Sequence, residues 1–133
     1  MNKENYDSLM EILDDLRGIS KEIEHKKKKF EMQLCNPSLD PYKAFGKYIS
    51  LKNEIDFMEW KVKTFKQIVK QLKDRERNFL KMMMYRKSIF CIEKELGMNY
   101  HGVSKRVDYY AELFKKFLKR PIKESYVERE SNA

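Results

Sequence analysis

Polar side chains that can hydrogen-bond to nucleic-acid bases follow a glycine and an asparagine at the end of the third quarter of the chain. Gly97 can adopt the positive φ of a tight turn, and Asn99 can cap a helix that begins at the next residue. The residues left outward on that helix are Tyr100, His101, Gly102, Ser104, Lys105, Asp108 and Tyr109. Donors and acceptors at the start of a helix are typical of side chains that contact base edges in the major groove.

A short helix precedes this turn, with Ser88 as its predicted N-cap and Gly97 just past its end. The residues that fall where the two helices must pack together are Ile92, Leu96, Met98, Val103 and Val107. Two short helices joined by a turn that contains a glycine and a capping asparagine predict a helix-turn-helix.

Apolar spacing extends this unit on both sides. Phe79 and Leu80 indicate a helix from about Asp74 to Tyr85, and at least one or two of its three methionines, Met82 to Met84, are expected to fill core gaps. The helix that starts after Asn99 continues through the apolar residues Val103, Val107, Tyr110, Leu113, Phe114 and Phe117 and stops before Pro121. Of the two adjacent tyrosines, Tyr110 is the one expected to be buried.

The first half of the chain has the apolar pattern of two long helices. The first seam consists of Leu9, Ile12, Leu16, Ile19, Ile23 and Phe30, and the second of Tyr48, Leu51, Ile55, Met58, Val62, Phe65, Val69 and Leu72. Pro37 and Pro41 end the first helix near Cys35 and make Asp40 the N-cap of the second. We expect an antiparallel hairpin about 45 Å long.

The sequence therefore predicts an all-α fold, in which a long N-terminal antiparallel helical hairpin precedes a C-terminal three-helix helix-turn-helix unit. The predicted parts are the hairpin at 1–72, the helix-turn-helix domain at 73–120 and a mobile polar tail at 121–133. Because so narrow a seam buries little, we expect the hairpin to pack further, through the C-terminal segment or through a second copy in a homodimer. Whether the hairpin packs on the helix-turn-helix or extends as an arm stays open.

Charge and composition point to an anionic partner. The net charge is +8, and 74–120 holds twelve basic against six acidic residues, a surplus that attracts phosphates or anionic membrane surfaces. Cys35 and Cys91 have neither zinc-ligand spacing nor a disulfide framework, so we expect no metal and no cofactor. No run of eighteen apolar residues exists and the N-terminus is acidic, which favours a cytoplasmic protein with no membrane partner. No catalytic motif is present, and we expect no enzyme.

Two stretches, Leu72 to Leu80 and Ile92 to Val107, resemble the C-terminal promoter-reading helix-turn-helix of bacterial sigma factors. The resemblance covers about 45 of the 133 residues. With the helical region before it, the whole chain resembles the small late-transcription regulators of the ArpU and RinA type, found in phages and prophages of Gram-positive bacteria. Where the sigma-factor pattern has alanine this chain has Glu93, whose carboxylate we expect either to pair with Arg106 or to open the angle between the helices.

The resemblance implies a regulator that binds double-stranded DNA near a promoter in the bacterial host cell and controls phage gene expression, and it leaves contact with RNA polymerase open. The predicted base readers are Tyr100, His101, Ser104 and Lys105. The predicted phosphate neighbours are Asn99, Arg106 and Ser88. Arg86 and Lys87 join them because they precede the first helix of the motif, whose N-terminus carries partial positive charge.

Two other functions fit parts of the pattern. The hairpin can belong to an interaction module that binds RNA polymerase or another phage protein without specific DNA readout. A phage packaging subunit of the small-terminase kind also joins a helix-turn-helix to long helices, although there the motif usually lies at the N-terminal end.

Overall fold

The computed structural model describes residues 1–34 and 40–118, and this part of the chain is helical without strands. Its five helices are α1 (Lys3–Leu34), α2 (Pro41–Lys70), α3 (Asp74–Met84), α4 (Ile89–Leu96) and α5 (Tyr100–Phe117). The all-α prediction is confirmed. The predicted end of the first helix near Cys35 and the predicted polar tail at 121–133 lie outside the described residues.

The two long helices run antiparallel. Lys61 Nζ lies 2.8 Å from the Asp15 carboxylate near one end of the pair. Near the other end the rings of Phe30 and Tyr48 have centroids 4.7 Å apart. Residue numbers therefore rise along α1 as they fall along the facing side of α2, which is the geometry of the predicted hairpin.

The start of α2 follows the predicted capping chemistry. The Asp40 side chain accepts a hydrogen bond from the Tyr42 amide at 3.0 Å, and Pro41 occupies the first helical position, where its missing N–H is not needed.

The buried residues of α1 are Leu9, Leu13, Leu16 and Ile19, and the predicted seam residues Ile23 and Phe30 are only half-buried. Leu13 is fully buried, whereas Ile12, which the heptad pattern placed in the seam, is only half-buried. The reason is that α1 contacts α3 and α5 as well as α2, so its buried face is turned toward the C-terminal helices. The predicted seam at Ile12 is therefore wrong by one residue.

One hydrophobic core joins the base of the hairpin to the C-terminal helices. From α1 it contains Leu9, Leu13, Leu16 and Ile19, and from the C-terminal helices it contains Phe79, Leu80, Met82, Met83, Ile92, Val103, Val107, Tyr110, Ala111 and Phe114. The ring of Phe65 on α2 lies 5.5 Å from that of Phe114. The ends of α1 and α2 around residues 9–19 and Phe65 thus pack on α3 and α5, and the core crosses the predicted boundary at residue 73. The predicted core role of the methionines is confirmed, since only Met84 is half-exposed.

The far end of the hairpin contributes little to this core. Among its described side chains, none of those in 20–32 or 41–54 is fully buried. Four large apolar side chains there are exposed to solvent, namely Met32, Tyr42, Phe45 and Ile49.

The register of α1 gives a test on neighbouring residues. We expect Leu13→Ala to lower the free energy of unfolding by about 2–5 kcal/mol, because it leaves a cavity in the shared core. Ile12→Ala, at a half-buried site, is the control and should cost clearly less. Urea denaturation followed by circular dichroism measures both, and equal losses would contradict this register.

Candidate nucleic-acid interface

The turn between α4 and α5 has the predicted geometry. Gly97 lies in the left-handed region with φ of 61°, and the Met98 amide donates to the Glu93 carbonyl at 3.0 Å. The Asn99 side chain then accepts from the Gly102 amide at 2.7 Å and caps α5. A Cβ at Gly102 would lie 3.3 Å from that Asn99 oxygen, so the small residue keeps the cap uncrowded.

Two arginines of α3 hold the ends of neighbouring helices, a role that the sequence analysis missed. Arg75 donates to the Leu96 carbonyl at 2.9 Å, at the C-terminus of α4. Arg77 donates to the Leu72 carbonyl at 2.9 Å, just after the end of α2. Carbonyls at helix ends lack intrahelical partners and carry partial negative charge, so both contacts are favourable.

Between these arginines, Glu76 connects α3 to α5. Its carboxylate accepts hydrogen bonds from Arg106 Nε at 3.0 Å and from the Tyr110 hydroxyl at 2.9 Å. Burial, reinforced by the hydrogen bond to Glu76, raises the pKa of the Tyr110 phenol well above its usual value. The hydroxyl therefore remains protonated and donating, and α5 is fixed to α3 by two charge-assisted hydrogen bonds.

The position of Arg106 answers the question raised by Glu93. Arg106 pairs with Glu76 and also donates to the Gly102 carbonyl at 3.2 Å, while Glu93 is only half-buried. The expected pairing of Arg106 with Glu93 is therefore not the one the structure has. The guanidinium of Arg106 already has partners on α3 and α5, so its predicted phosphate contact stays a prediction that would need it to rearrange or share donors.

The first turns of α5 present the predicted readers to different degrees. Tyr100 is 51% exposed, and His101 and Lys105 are also exposed, whereas Ser104 is half-buried. The opposite side of this segment is anchored by Val103, which is fully buried. The exposed side chains thus project from a helical turn that cannot rotate without breaking the core.

Asp108, one of the residues expected outward, belongs to a contact between α1 and α5. Its carboxylate accepts from Asn5 Nδ2 at 2.9 Å, and Asn5 Oδ1 accepts from Lys115 Nζ at 3.3 Å. Nothing in local spacing signals this contact, because Asn5 and Asp108 are 103 residues apart.

The predicted phosphate neighbours before α4 lie in a second group. Arg86 adopts a positive φ of 59°, which lets the amides of Arg86 and Lys87 cap the end of α3 by donating to Met83 and Met82. The Arg86 guanidinium pairs with Asp14 of α1. Lys87 is exposed and forms no ion pair with any residue of 1–34 or 40–118.

Ser88 is the N-cap of α4, as predicted, and its hydroxyl accepts from the Cys91 amide at 3.1 Å. The group at 86–88 and the group at 99–106 lie at opposite ends of α4, which is about 12 Å long. The structure therefore places the predicted site residues in two patches, one at the N-terminus of α4 and one at the N-terminus of α5.

Comparison with known proteins gives no assignment: no family model, curated protein or solved structure matches the chain significantly. Within residues 1–34 and 40–118, no group of three or more His, Cys, Asp or Glu side chains could hold a metal ion. No helix in the same described ranges is both long and apolar enough to cross a membrane.

The role of Glu76 gives a stability prediction. Glu76→Ala leaves Arg106 and Tyr110 without their shared acceptor, and we expect it to lower the free energy of unfolding by about 3 kcal/mol. The matched control on the same helix is Asp74→Ala, whose carboxylate is 93% exposed and should cost less than about 1 kcal/mol. If thermal or urea unfolding shows the same small loss for both variants, Glu76 does not hold α5 in place.

Proposed function

We propose that this protein is a sequence-specific regulator of transcription that binds double-stranded DNA and reads the major groove with the start of α5. The observation that carries the proposal is the exposed N-terminal turn of α5, which follows a short helix and a left-handed glycine and is fixed from behind by Glu76 and Val103. A rigid helix end with exposed hydrogen-bonding side chains suits base readout. Its backbone is already ordered, so binding loses little conformational entropy.

The charge of the same part of the chain supports an anionic partner. Residues 73–118 carry eleven basic and six acidic side chains. Six of these basic residues are exposed lysines, at Lys73, Lys81, Lys87, Lys94, Lys105 and Lys116. Neutralising phosphates with such lysines releases counterions and favours binding to any duplex, before sequence is read.

The two patches suggest two roles. Tyr100, His101, Ser104 and Lys105 are the proposed base readers. Lys87 and the N-cap regions at Ser88 and Asn99 are the proposed phosphate contacts, because backbone amides and positive dipole ends lie there. Arg86 and Arg106 complete the predicted set, and each would have to contact DNA while keeping, or exchanging, its carboxylate partner.

The resemblance to sigma factors and to ArpU and RinA-type regulators extends the proposal. On that resemblance the protein is encoded by a phage or prophage, acts as a homodimer in the cytoplasm of the bacterial host and controls late gene expression, with contact to RNA polymerase as an option.

A second candidate function is a helical module that binds another protein without reading DNA. The observation that favours it is the exposed apolar group at the far end of the hairpin, where Tyr42 is 90% and Phe45 is 64% exposed. A single titration separates the two functions. Fluorescence anisotropy with a random duplex at about 50 and about 200 mM salt should show affinity that falls steeply with salt if several phosphates are neutralised. Absent or salt-independent binding would favour the protein-binding module.

Base readers and phosphate contacts should respond differently to truncation. We expect Lys105→Ala to change the sequences recovered from a randomised duplex pool, because a reader of base edges is lost. We expect Lys87→Ala to weaken binding to all duplexes alike and to reduce the salt slope by about one.

Lys29→Ala, at an exposed lysine on the hairpin, is the control and should change neither the recovered sequences nor the affinity. If Lys105→Ala and Lys87→Ala both weaken every duplex to the same extent and leave the recovered sequences unchanged, Lys105 is not a reader.

A further inference from the structure

The C-terminal half of α5 carries an apolar stripe that the core covers only in part, since Leu113 packs against the core whereas Tyr109 and Phe117 are exposed. Tyr109 is 59% exposed, Phe117 is 46% exposed, and Leu113 between them is half-buried. The three residues are spaced by four and therefore lie on one face of the helix. Large apolar side chains grouped on one exposed face mark an interaction surface more often than scattered ones do.

The stripe forms one wall of a groove of about 470 Å³. The other wall is the C-terminal part of α2, where Ile68 and Leu72 supply apolar surface and Gln67 and Gln71 supply an uncharged polar rim. A groove with a neutral rim has no preference for an acidic or a basic partner, and an apolar stripe gains nothing from DNA phosphates.

The stripe is complementary to a second copy of itself when two α5 helices run antiparallel. Tyr109 and Phe117 are equidistant from Leu113, so a second α5 laid antiparallel would place tyrosine against phenylalanine on both sides of a leucine pair. The adjoining flank carries exposed Glu112 and Lys116. In an antiparallel pair that flank meets its own copy, which brings each Glu112 beside the Lys116 of the other chain.

From this self-complementarity we infer that a second copy of the chain occupies the groove, with the two α5 helices antiparallel about a two-fold axis at Leu113. Such an interface is isologous, as in most homodimers. It deepens the proposed homodimer by naming its surface, and it lies on the C-terminal end of the hairpin and on α5 rather than at the hairpin's far end.

This arrangement has a consequence that rests on the proposed function. The reading segment from Tyr100 to Lys105 lies about ten residues before Leu113, so two copies would hold their reading segments about 30 Å apart. Half-sites bound by two-fold related helix-turn-helix units lie about 34 Å, or one turn of B-DNA, apart. The two-fold axis is perpendicular to the plane that contains the two α5 helices. The same flank of each helix therefore lies on one side of that plane, so both reading segments would face one duplex.

The first test is the mass of the free protein by light scattering coupled to size-exclusion chromatography. We expect a dimer for the wild type, and an about tenfold or higher dissociation constant for Phe117→Glu, because each new carboxylate would be desolvated against Tyr109 of the second copy. Phe45→Glu, at an exposed phenylalanine on the hairpin's far end, is the matched control and should stay dimeric. A monomeric wild type, or a dimer lost only with Phe45→Glu, would overturn the inference.

The second test needs no change to an apolar residue and so keeps the fold intact. Glu112→Lys makes the flank wholly basic, and Lys116→Glu makes it wholly acidic. Each variant alone should dimerise more weakly than wild type, and native mass spectrometry of the mixture should show heterodimers well above the statistical half. Heterodimers at about half of all dimers would contradict contact between these flanks.

These outcomes are separate from DNA binding. A dimer that passes both tests but binds no duplex would contradict the proposed function and support the interface. A protein that binds DNA specifically as a monomer would contradict the interface and support the proposed function.

Discussion

The carboxylate of Glu76 is the contact on which the position of α5 depends. It is the shared acceptor of Arg106 and Tyr110, and it lies on the same helical turn as Arg75 and Arg77, which hold the ends of α4 and α2. Three consecutive residues of α3 thus reach three different elements. A partly buried carboxylate with two donors is favourable only while both remain in place, so loss of this contact would weaken the hold of α3 on α5 at two positions.

With that contact in place, α5 divides its surface among three tasks. Its middle is buried, with Val107 and Phe114 fully inaccessible to solvent, so the helix can neither slide nor rotate. Asn5 of α1 braces it from the other side through Asp108. The two exposed parts, one around Tyr100 and one around Leu113, are therefore held at a fixed separation on one rigid rod. A spacing between half-sites can be set by such a rod, whereas flexible segments would impose none.

Local chemistry made much of this fold predictable, and long-range packing made the rest unpredictable. Glycine and asparagine have few alternatives at a left-handed turn and a cap, so the positions of Gly97 and Asn99 followed from the sequence. The positive φ at Arg86 did not follow from the sequence, because arginine has no intrinsic preference for the left-handed conformation. The choice of Leu13 over Ile12 also depends on helices that pack from 60 or more residues away. The candidate readers were found from exposure-prone polar spacing, while their supports on α3 and α1 carry no local signal.

The central claim is that the exposed start of α5 meets duplex DNA, and amide chemical-shift mapping tests it most directly. A duplex recovered from a randomised pool would be titrated into ¹⁵N-labelled protein. The account predicts that the largest shifts fall on residues 99–106, with a second set at 87–89 and little change at the far end of the hairpin. Shifts confined to the hairpin, or none at saturating duplex, would contradict it.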